Sequence, residues 1–388
     1  MSSGAIYALQ TQYSSAAAKT KMHEMNRQQT GRGKRHPCRT RSKVHPCTFA
    51  PAGLAFSVAA SLVIFVFRAY IAPADTYLGN MYNGLINVYK EAGFTSFDVV
   101  AKLRGILGQK KIGHTGTLDP DATGVLPVVV GNATKLVEML TDKQKEYVAE
   151  FVLGITTDTQ DISGKVTERR EVTCSEDDIR VIIDTFVGDI MQIPPMYSAL
   201  KVDGKKLYEL AREGKTVERK PRPVTIHEIE ILSIDMDGNK ETDEASAGAM
   251  TAGPKISIRV VCSKGTYIRT LCNDIGEKLG CGGTMTSLKR TMSGQFRIEE
   301  AHTLAEIEDY IKSGRSDEII TPTDAIFADL PRYMVKGPEL KLVQNGNQIA
   351  IPSSDAKEIR IYSDTEFIAL YEQKNPKQNI YKPKYMFL

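Results

Sequence analysis

GHTGTLDPDATG, Gly113–Gly124, sets a histidine, two aspartates, three threonines and three glycines in twelve residues. A lone loop aspartate is usually a cap or turn residue, and Pro120 after Asp119 suits a turn. The company points elsewhere. Gly113, Gly116 and Gly124 permit close backbone approach, which lets a loop present a carboxylate to a substrate. His114 could act as a base, a metal ligand or a satisfied loop side chain, and the lack of HxH or HExxH spacing argues against zinc.

Working outward, Arg269 in CSKGTYIRT stands just inside a helix that follows a strand. By default it is a surface or salt-bridge residue. Facing Asp119, it would hold that carboxylate ionised at neutral pH. Tyr147 and Tyr267 lie in strand-like and strand-to-helix contexts where tyrosine ordinarily packs, yet a stacked aromatic can also grip a base taken out of its stack.

The surroundings read as mixed α and β. Leu85–Tyr89 is an apolar strand, and Thr95 with Asp98 caps the amphipathic SFDVVAKLRGIL. TGVLPVVVG is a buried strand or a helix start. EYVAEFVLGITTDTQDISGKV reads as two strands around a polar turn. Ser175 with Asp178 opens a helix through Phe186, and GKKLYELAREG is a short helix ending at Gly214. KISIRVVCSKGTYIRTLCNDIGEKLG is a strand and then a helix closed by Gly280. Residues 235–254 lack an apolar period and suit a mobile hairpin extension. From about Pro331, EIRIYSD, EFIALYEQ and IYKPKYMFL suggest a small β domain.

The chain has 388 residues and a net charge of +3, unevenly spread. Residues 1–80 hold ten of the 50 basic side chains and two of the 47 acidic ones, which leaves the remainder net negative. Nucleic-acid affinity of the main body must then come from local basic patches. Six cysteines without CxxC spacing point to a reducing, cytoplasmic setting. Residues 1–50 have the composition of a disordered segment. The uncharged run Ala52–Phe67 could be a signal anchor or short transmembrane helix, the alternative being a start assigned too far upstream, with Met81 as the functional start. The latter is favoured because regular patterning begins there. The HPC pairs at His36–Cys38 and His45–Cys47 lack further ligands at a recognised spacing.

Five stretches taken together resemble one family. GHTGTLDPDATGVLPVVVGNATK is similar to the signature of the TruB-type tRNA pseudouridine synthases, and so are YKEAGFTSFDVV, EYVAEFVLGITTDTQDISG, IPPMYSALKVDGKKLYELAREG and CSKGTYIRTLCNDIGEKLG. They follow in family order from about Met81 to Leu330, and more weakly to the end. The resemblance implies an α+β pseudouridine-synthase fold over 81–330, with a mixed, largely antiparallel central sheet flanked by helices. It implies a PUA-like RNA-binding β domain over 331–388 that touches the acceptor stem. The implied activity is isomerisation of uridine 55 in the T loop of tRNA, by an enzyme of bacterial type that needs no cofactor, metal, protein partner or guide RNA and acts as a monomer.

Motif by motif, the resemblance makes Asp119 the catalytic aspartate and Arg269 its ion-pair partner. It makes Tyr147 the tyrosine that stacks on the target base, Tyr267 the second aromatic, and Asp161 the contact to the flipped nucleotide. Leu288 matches an apolar pocket residue, His114 the motif histidine and Lys90 the lysine of the first motif. Many relatives have Lys-Pro where this chain has Lys90-Glu91, which puts local rigidity in question. The chemistry agrees independently, because moving uracil from its N1 to its C5 attachment involves no redox step and a carboxylate nucleophile suffices. Three other readings compete: an RNA chaperone that has lost catalysis, a membrane-anchored protein using residues 52–67, and a metal-dependent phosphohydrolase built on His114 and the aspartates.

Overall fold

The computed structural model describes residues 81–202, 204–238, 253–352, 354–364 and 366–388. The expectations for residues 1–80, including the run 52–67 and the HPC pairs, and for 239–252 of the hairpin, lie outside the described residues.

The main sheet contains β1 (Gly84–Lys90), β2 (Ile112–His114), β3 (Thr123–Val130), β4 (Lys145–Leu153) and β5 (Gly188–Gln192). It continues with β6 (Arg222–Asp235), β7 (Lys255–Cys262), β8 (Gly283–Ser293), β9 (Phe296–Arg297) and β10 (Ile320–Thr321). Its order is β10-β1-β3-β8-β4-β7-β6-β5, with β2 beside β3 and β9 beside β8. Every pair is antiparallel except β3 with β8, where Lys289 faces Thr123 and Arg290 faces Gly124. Two short strands, Ile155–Thr157 and Val166–Arg169, lie outside this sheet. Gly154 (φ +89°) ends β4, and Ile155–Thr157 turns away to pair with Val166–Arg169 around the polar turn.

The helices are α1 (Ser96–Leu107), α2 (Val137–Thr141), α3 (Glu176–Asp184), α4 (Leu207–Arg212), α5 (Ile268–Lys278), α6 (Leu304–Lys312) and α7 (Gly337–Gln344). Reciprocal capping boxes start α1 (Thr95 with Asp98), α3 (Ser175 with Asp178) and α6 (Thr303 with Glu306). Each satisfies amide donors that the first turn would leave orphaned. Ile179 and Ile183 of α3 and Leu271 and Ile275 of α5 bury against Ala149, Phe151, Ile256 and Ile258 of β4 and β7. Val99 and Leu103 of α1 and Ile307 of α6 cover Ile86, Val88 and Val128 of β1 and β3. Burying such a side chain stabilises the fold by about 1.5–3 kcal/mol, so these two clusters fix which strand ends and helix starts meet.

A second, five-stranded sheet follows: β11 (Arg332–Met334), β12 (Ile349–Ala350), β13 (Glu358–Ser363), β14 (Glu366–Asn375) and β15 (Ile380–Met386), in the order β11-β13-β14-β15-β12. It has its own core around Ile359, Ile361, Tyr371 and Tyr381. It also shares one with the main sheet, since Leu370 and Phe387 pack with Leu85, Val125 and Leu136. Asn132 Nδ2 donates to the Phe387 carbonyl at 2.7 Å, and the Tyr362 hydroxyl donates to Asp324 at 2.8 Å. Among the described residues no helix is long and apolar enough to cross a membrane.

Candidate active site

Asp119 rides on the loop between β2 and β3, and that loop is tied down along its length. The Thr115 amide donates to the Pro127 carbonyl at 3.1 Å, and the Leu118 amide donates to Ser96 Oγ at 2.9 Å. Arg290 Nη2 donates to the Gly116 carbonyl at 3.2 Å. Beneath the loop, Lys90 is 0% exposed and its ammonium donates to the carbonyls of Pro120 (2.8 Å), Ala122 (2.5 Å) and Glu91 (3.1 Å). Burial lowers its pKa to about 8. These bonds use the ammonium's three hydrogens on backbone, so Lys90 acts on the loop from below and not on the substrate side. The same bonds answer the question raised by Glu91. Its carbonyl is one of the anchors, and the Gly93 amide donates to Pro120 O at 3.0 Å, holding the segment without a proline.

Arg269 lies in the first turn of α5 and is 5% exposed. Its Nε and Nη2 grip the two Asp119 oxygens at 3.0 and 3.2 Å, a bidentate fork. Nη1 reaches Asp161 Oδ2 at 3.4 Å and the Thr159 carbonyl at 3.1 Å, while Nη2 also donates to the Tyr197 carbonyl at 2.9 Å. Asp161 is held in turn, its Oδ1 accepting from Thr159 Oγ1 at 2.7 Å and from the Ser163 amide at 3.0 Å. Gln160 supports this turn at a φ of 65°, accepting at its side-chain oxygen from Thr270 Oγ1 at 2.8 Å. The buried side chain of Gln192 accepts from the Tyr267 amide (2.8 Å) and donates to its carbonyl (3.0 Å), which fixes the start of α5.

The Asp119 side chain keeps 40% of its surface open. Packing on its other sides pushes its pKa above the ordinary carboxylate value; Arg269 opposes that push and Asp161 adds to it. The sequence expectation gave Arg269 alone control of this group. In the structure desolvation is the larger influence and the guanidinium offsets part of it.

Tyr147 is buried on β4, opposite Arg290 of β8 on one side and Val260 of β7 on the other. Burial pushes its hydroxyl upward in pKa, with Arg290 working against that. Leu288, half-buried and opposite Ala149, packs with Tyr147 and with Leu118 of the Asp119 loop in one cluster. His114 ends β2, and its Nδ1 accepts from the Gly116 amide at 3.4 Å. Burial, followed by Arg290, holds its pKa below the usual 6.5, so it is a neutral ring at pH 7. Tyr267 precedes α5 directly, and burial raises its pKa. Asp121 is exposed. Among the described residues no group of three or more His, Cys, Asp or Glu stands together as a metal cage, and Cys174, Cys262, Cys272 and Cys281 are free thiols.

The structure therefore joins Asp119, Arg269 and Asp161 directly and packs Tyr147 and Leu288 beside their loop. It sets Lys90 underneath. Sequence reasoning did not find Arg290, Gln192 or Ser96, nor the carbonyls of Thr159 and Tyr197. A carbonyl carries no side-chain signal, and only the SLKR setting of Arg290, two residues after Leu288, offered one. The segment 201–222, shortly after Tyr197, holds eight Lys/Arg against four Asp/Glu in sequence.

Residues 104–268 match the sequence profile of the TruB family pseudouridylate synthase N-terminal domain, and residues 269–328 that of the tRNA pseudouridylate synthase B C-terminal domain. A tRNA pseudouridine synthase B of Lachnoclostridium phytofermentans is 52% identical over 317 residues, spanning 79% of this chain and 100% of that protein. One of Clostridium novyi is 47% identical over 297 residues, spanning 74% of this chain and 94% of that protein. Among solved structures, a Cbf5-Nop10-Gar1 complex matches with a TM-score of 0.56 at 29% identity, over 79% of this chain and 85% of that one. An H/ACA RNP bound to a substrate RNA containing 2'-deoxyuridine matches with a TM-score of 0.54 at 26% identity, over the same shares.

Proposed function

The chain belongs to the TruB family of pseudouridylate synthases, and from that premise we propose that it converts uridine 55 in the tRNA T loop to pseudouridine, with Asp119 as nucleophile on a flipped-out uridine. Members of the family are isomerases that make pseudouridine in tRNA. Supporting the assignment of Asp119 is the Asp119–Arg269 fork: an accessible carboxylate aimed by a buried guanidinium on a loop tied to its surroundings.

In the reaction the C1′–N1 bond breaks and a C1′–C5 bond forms. C5 gives up its proton and N1 gains one. Asp119 attacks C1′ of the ribose or C6 of the base, and the uracil is free to rotate while it is covalently or sterically held. Tyr147 stacks on the extruded base and takes the C5 proton, Leu288 and Tyr267 wall the pocket, and neutral His114 occupies the gap the uridine leaves in its loop. Asp161 acts through Arg269. The basic segment 201–222 contacts the T-loop phosphates, and the second sheet acts as a PUA-like module on the acceptor stem. The enzyme works as a monomer without guide RNA or protein partner.

The test is Asp119→Asn in the full chain, with pseudouridine mapped at nucleotide resolution. Formation at position 55 should vanish while tRNA binding stays within about threefold, as expected when a nucleophile and not a binding group is removed. Turnover near wild type removes Asp119 from the role, and modification elsewhere with position 55 untouched removes the site assignment.

A further inference from the structure

Arg290 is a fully buried cation, 1% exposed, in a place where an arginine is costly. Nε donates to the Val125 carbonyl at 2.6 Å and Nη2 to the Gly116 carbonyl at 3.2 Å. Nη1 points along the same loop, 3.6 Å from where a Cβ on Gly116 would stand. The two carbonyls accept from Nε and Nη2 but do not compensate the charge. No carboxylate forms an ion pair with it among the described residues, whereas Arg269 on the neighbouring helix has two. Burying an unpaired ion costs several kcal/mol, and an apolar side chain of similar volume would serve packing at less expense. The charge is thus more than the fold requires.

What it faces is Tyr147. The two residues are directly opposed in the antiparallel β8–β4 pair, so their side chains leave the sheet on the same face. We propose that Arg290 is a positioning residue for the isomerisation, locking the Tyr147 hydroxyl and the Gly116 end of the Asp119 loop into one frame and presenting a buried positive charge to the tyrosine as it accepts the C5 proton.

The C5–H bond breaks, its electron pair returns to the uracil ring, and the proton goes to Tyr147 Oη as the phenolate, which later passes it to water. A phenolate in this position is opposed by burial and by the negative charge of Asp119 on the loop, and Cys262 of β7 also faces it. Lys145, two residues before Tyr147 on the same strand face, contributes a second cation but turns its ammonium to the Thr141 and Lys143 carbonyls. Arg290 is the cation set across from the ring. The same field adds to the burial that keeps His114 neutral. This inference rests on the reading of Tyr147 as the base.

The experiment measures single-turnover rates against pH on tRNA transcript for the full-length wild type, Arg290→Gln, Arg290→Lys and Tyr147→Phe, with filter binding in parallel. Arg290→Gln keeps one donor and removes the charge. It should slow the reaction about 30-fold at neutral pH, a fraction of what a general base contributes, with the alkaline rise of the rate displaced to higher pH and tRNA affinity within about threefold of wild type. Arg290→Lys keeps the charge without the fork, so its profile should have the wild-type shape with a lower plateau. A Gln variant with the wild-type pH profile overturns the proposal. Should that variant not fold, the Lys variant decides: wild-type rates overturn the positioning role, and a displaced profile overturns the charge role. Tyr147→Phe at full rate would sink the base reading itself. An inactive Tyr147→Phe beside an unchanged Gln profile would sink Arg290 alone.

Discussion

Removing Arg269 separates two effects that the active site combines. In Arg269→Ala, Asp119 loses a bidentate partner at 3.0 and 3.2 Å, and the carbonyls of Thr159 and Tyr197 lose their donor. Hydrogen bonds to charged groups contribute about 1.5–3 kcal/mol each. With 40% of the Asp119 side chain open to water, the lower end applies, so the pair is worth about 3 kcal/mol after screening. At about 1.4 kcal/mol per decade, that is roughly a hundredfold in the chemical step. Loss of the guanidinium also moves the Asp119 pKa further upward, the direction in which burial already pushes it. A nucleophile must be ionised, so the acid limb of the rate profile should move to higher pH. The neutral-pH deficit should persist on the plateau, because orientation is lost at every pH. Arg269→Lys should restore the limb better than the plateau, as a point charge replaces a planar fork. Single-turnover rates from pH 5 to 9, with circular dichroism to verify folding and filter binding to follow affinity, provide the readout. An Arg269→Ala enzyme within about threefold of wild type at all pH values, or one defective only in binding, would refute the reasoning.

Two stability predictions accompany this one. Folding lowers the Lys90 pKa from 10.5 to about 8, so between those values the unfolded chain holds more protons and stability should rise with pH. Lys145, also lowered to about 8, adds to the same slope, and Lys90→Met should retain only the Lys145 share, read as urea midpoints at pH 8 and pH 10. A wild-type midpoint that falls across this window faster than the mutant's would reverse the sign and defeat the account. Gly124 has a φ of +101°, and a Cβ there would stand 2.2 Å from the Arg290 carbonyl oxygen across the β3–β8 joint. Gly124→Ala should therefore lose at least about 2 kcal/mol in chemical denaturation, from strain and clash together, and an unchanged midpoint would show that the joint yields easily.

Much of this architecture was legible because it rests on local rules. Thr95 with Asp98 and Ser175 with Asp178 announce helix starts through capping that involves residues three apart. The alternation at Lys145, Tyr147, Ala149 and Phe151 marks a strand with one buried face. The stretch TGVLPVVVG stayed open between strand and helix because a strand buried on both faces has no period to read, and the β1–β3–β8 surroundings made it a strand. Within EYVAEFVLGITT the break at Gly154, where a positive φ ends one strand before the next begins, carries no local signal beyond the glycine itself.

The site divides in the same way. The residue types and their order carry the proposed chemistry: a loop with Asp119, an arginine at the start of a helix and a tyrosine on a strand, in the order of the family. Tertiary structure alone decided what each group does to the others. Lys90 became a buried clamp because two carbonyls of the Asp119 loop and that of Glu91 converge on its ammonium. Asp119 acquired a raised pKa because neighbours distant in sequence exclude water from part of its surface. Arg290 faces Tyr147 because the register of β4 on β8 sets them opposite. Desolvation and fork geometry are sums over residues scores of positions apart, and no window of sequence contains them.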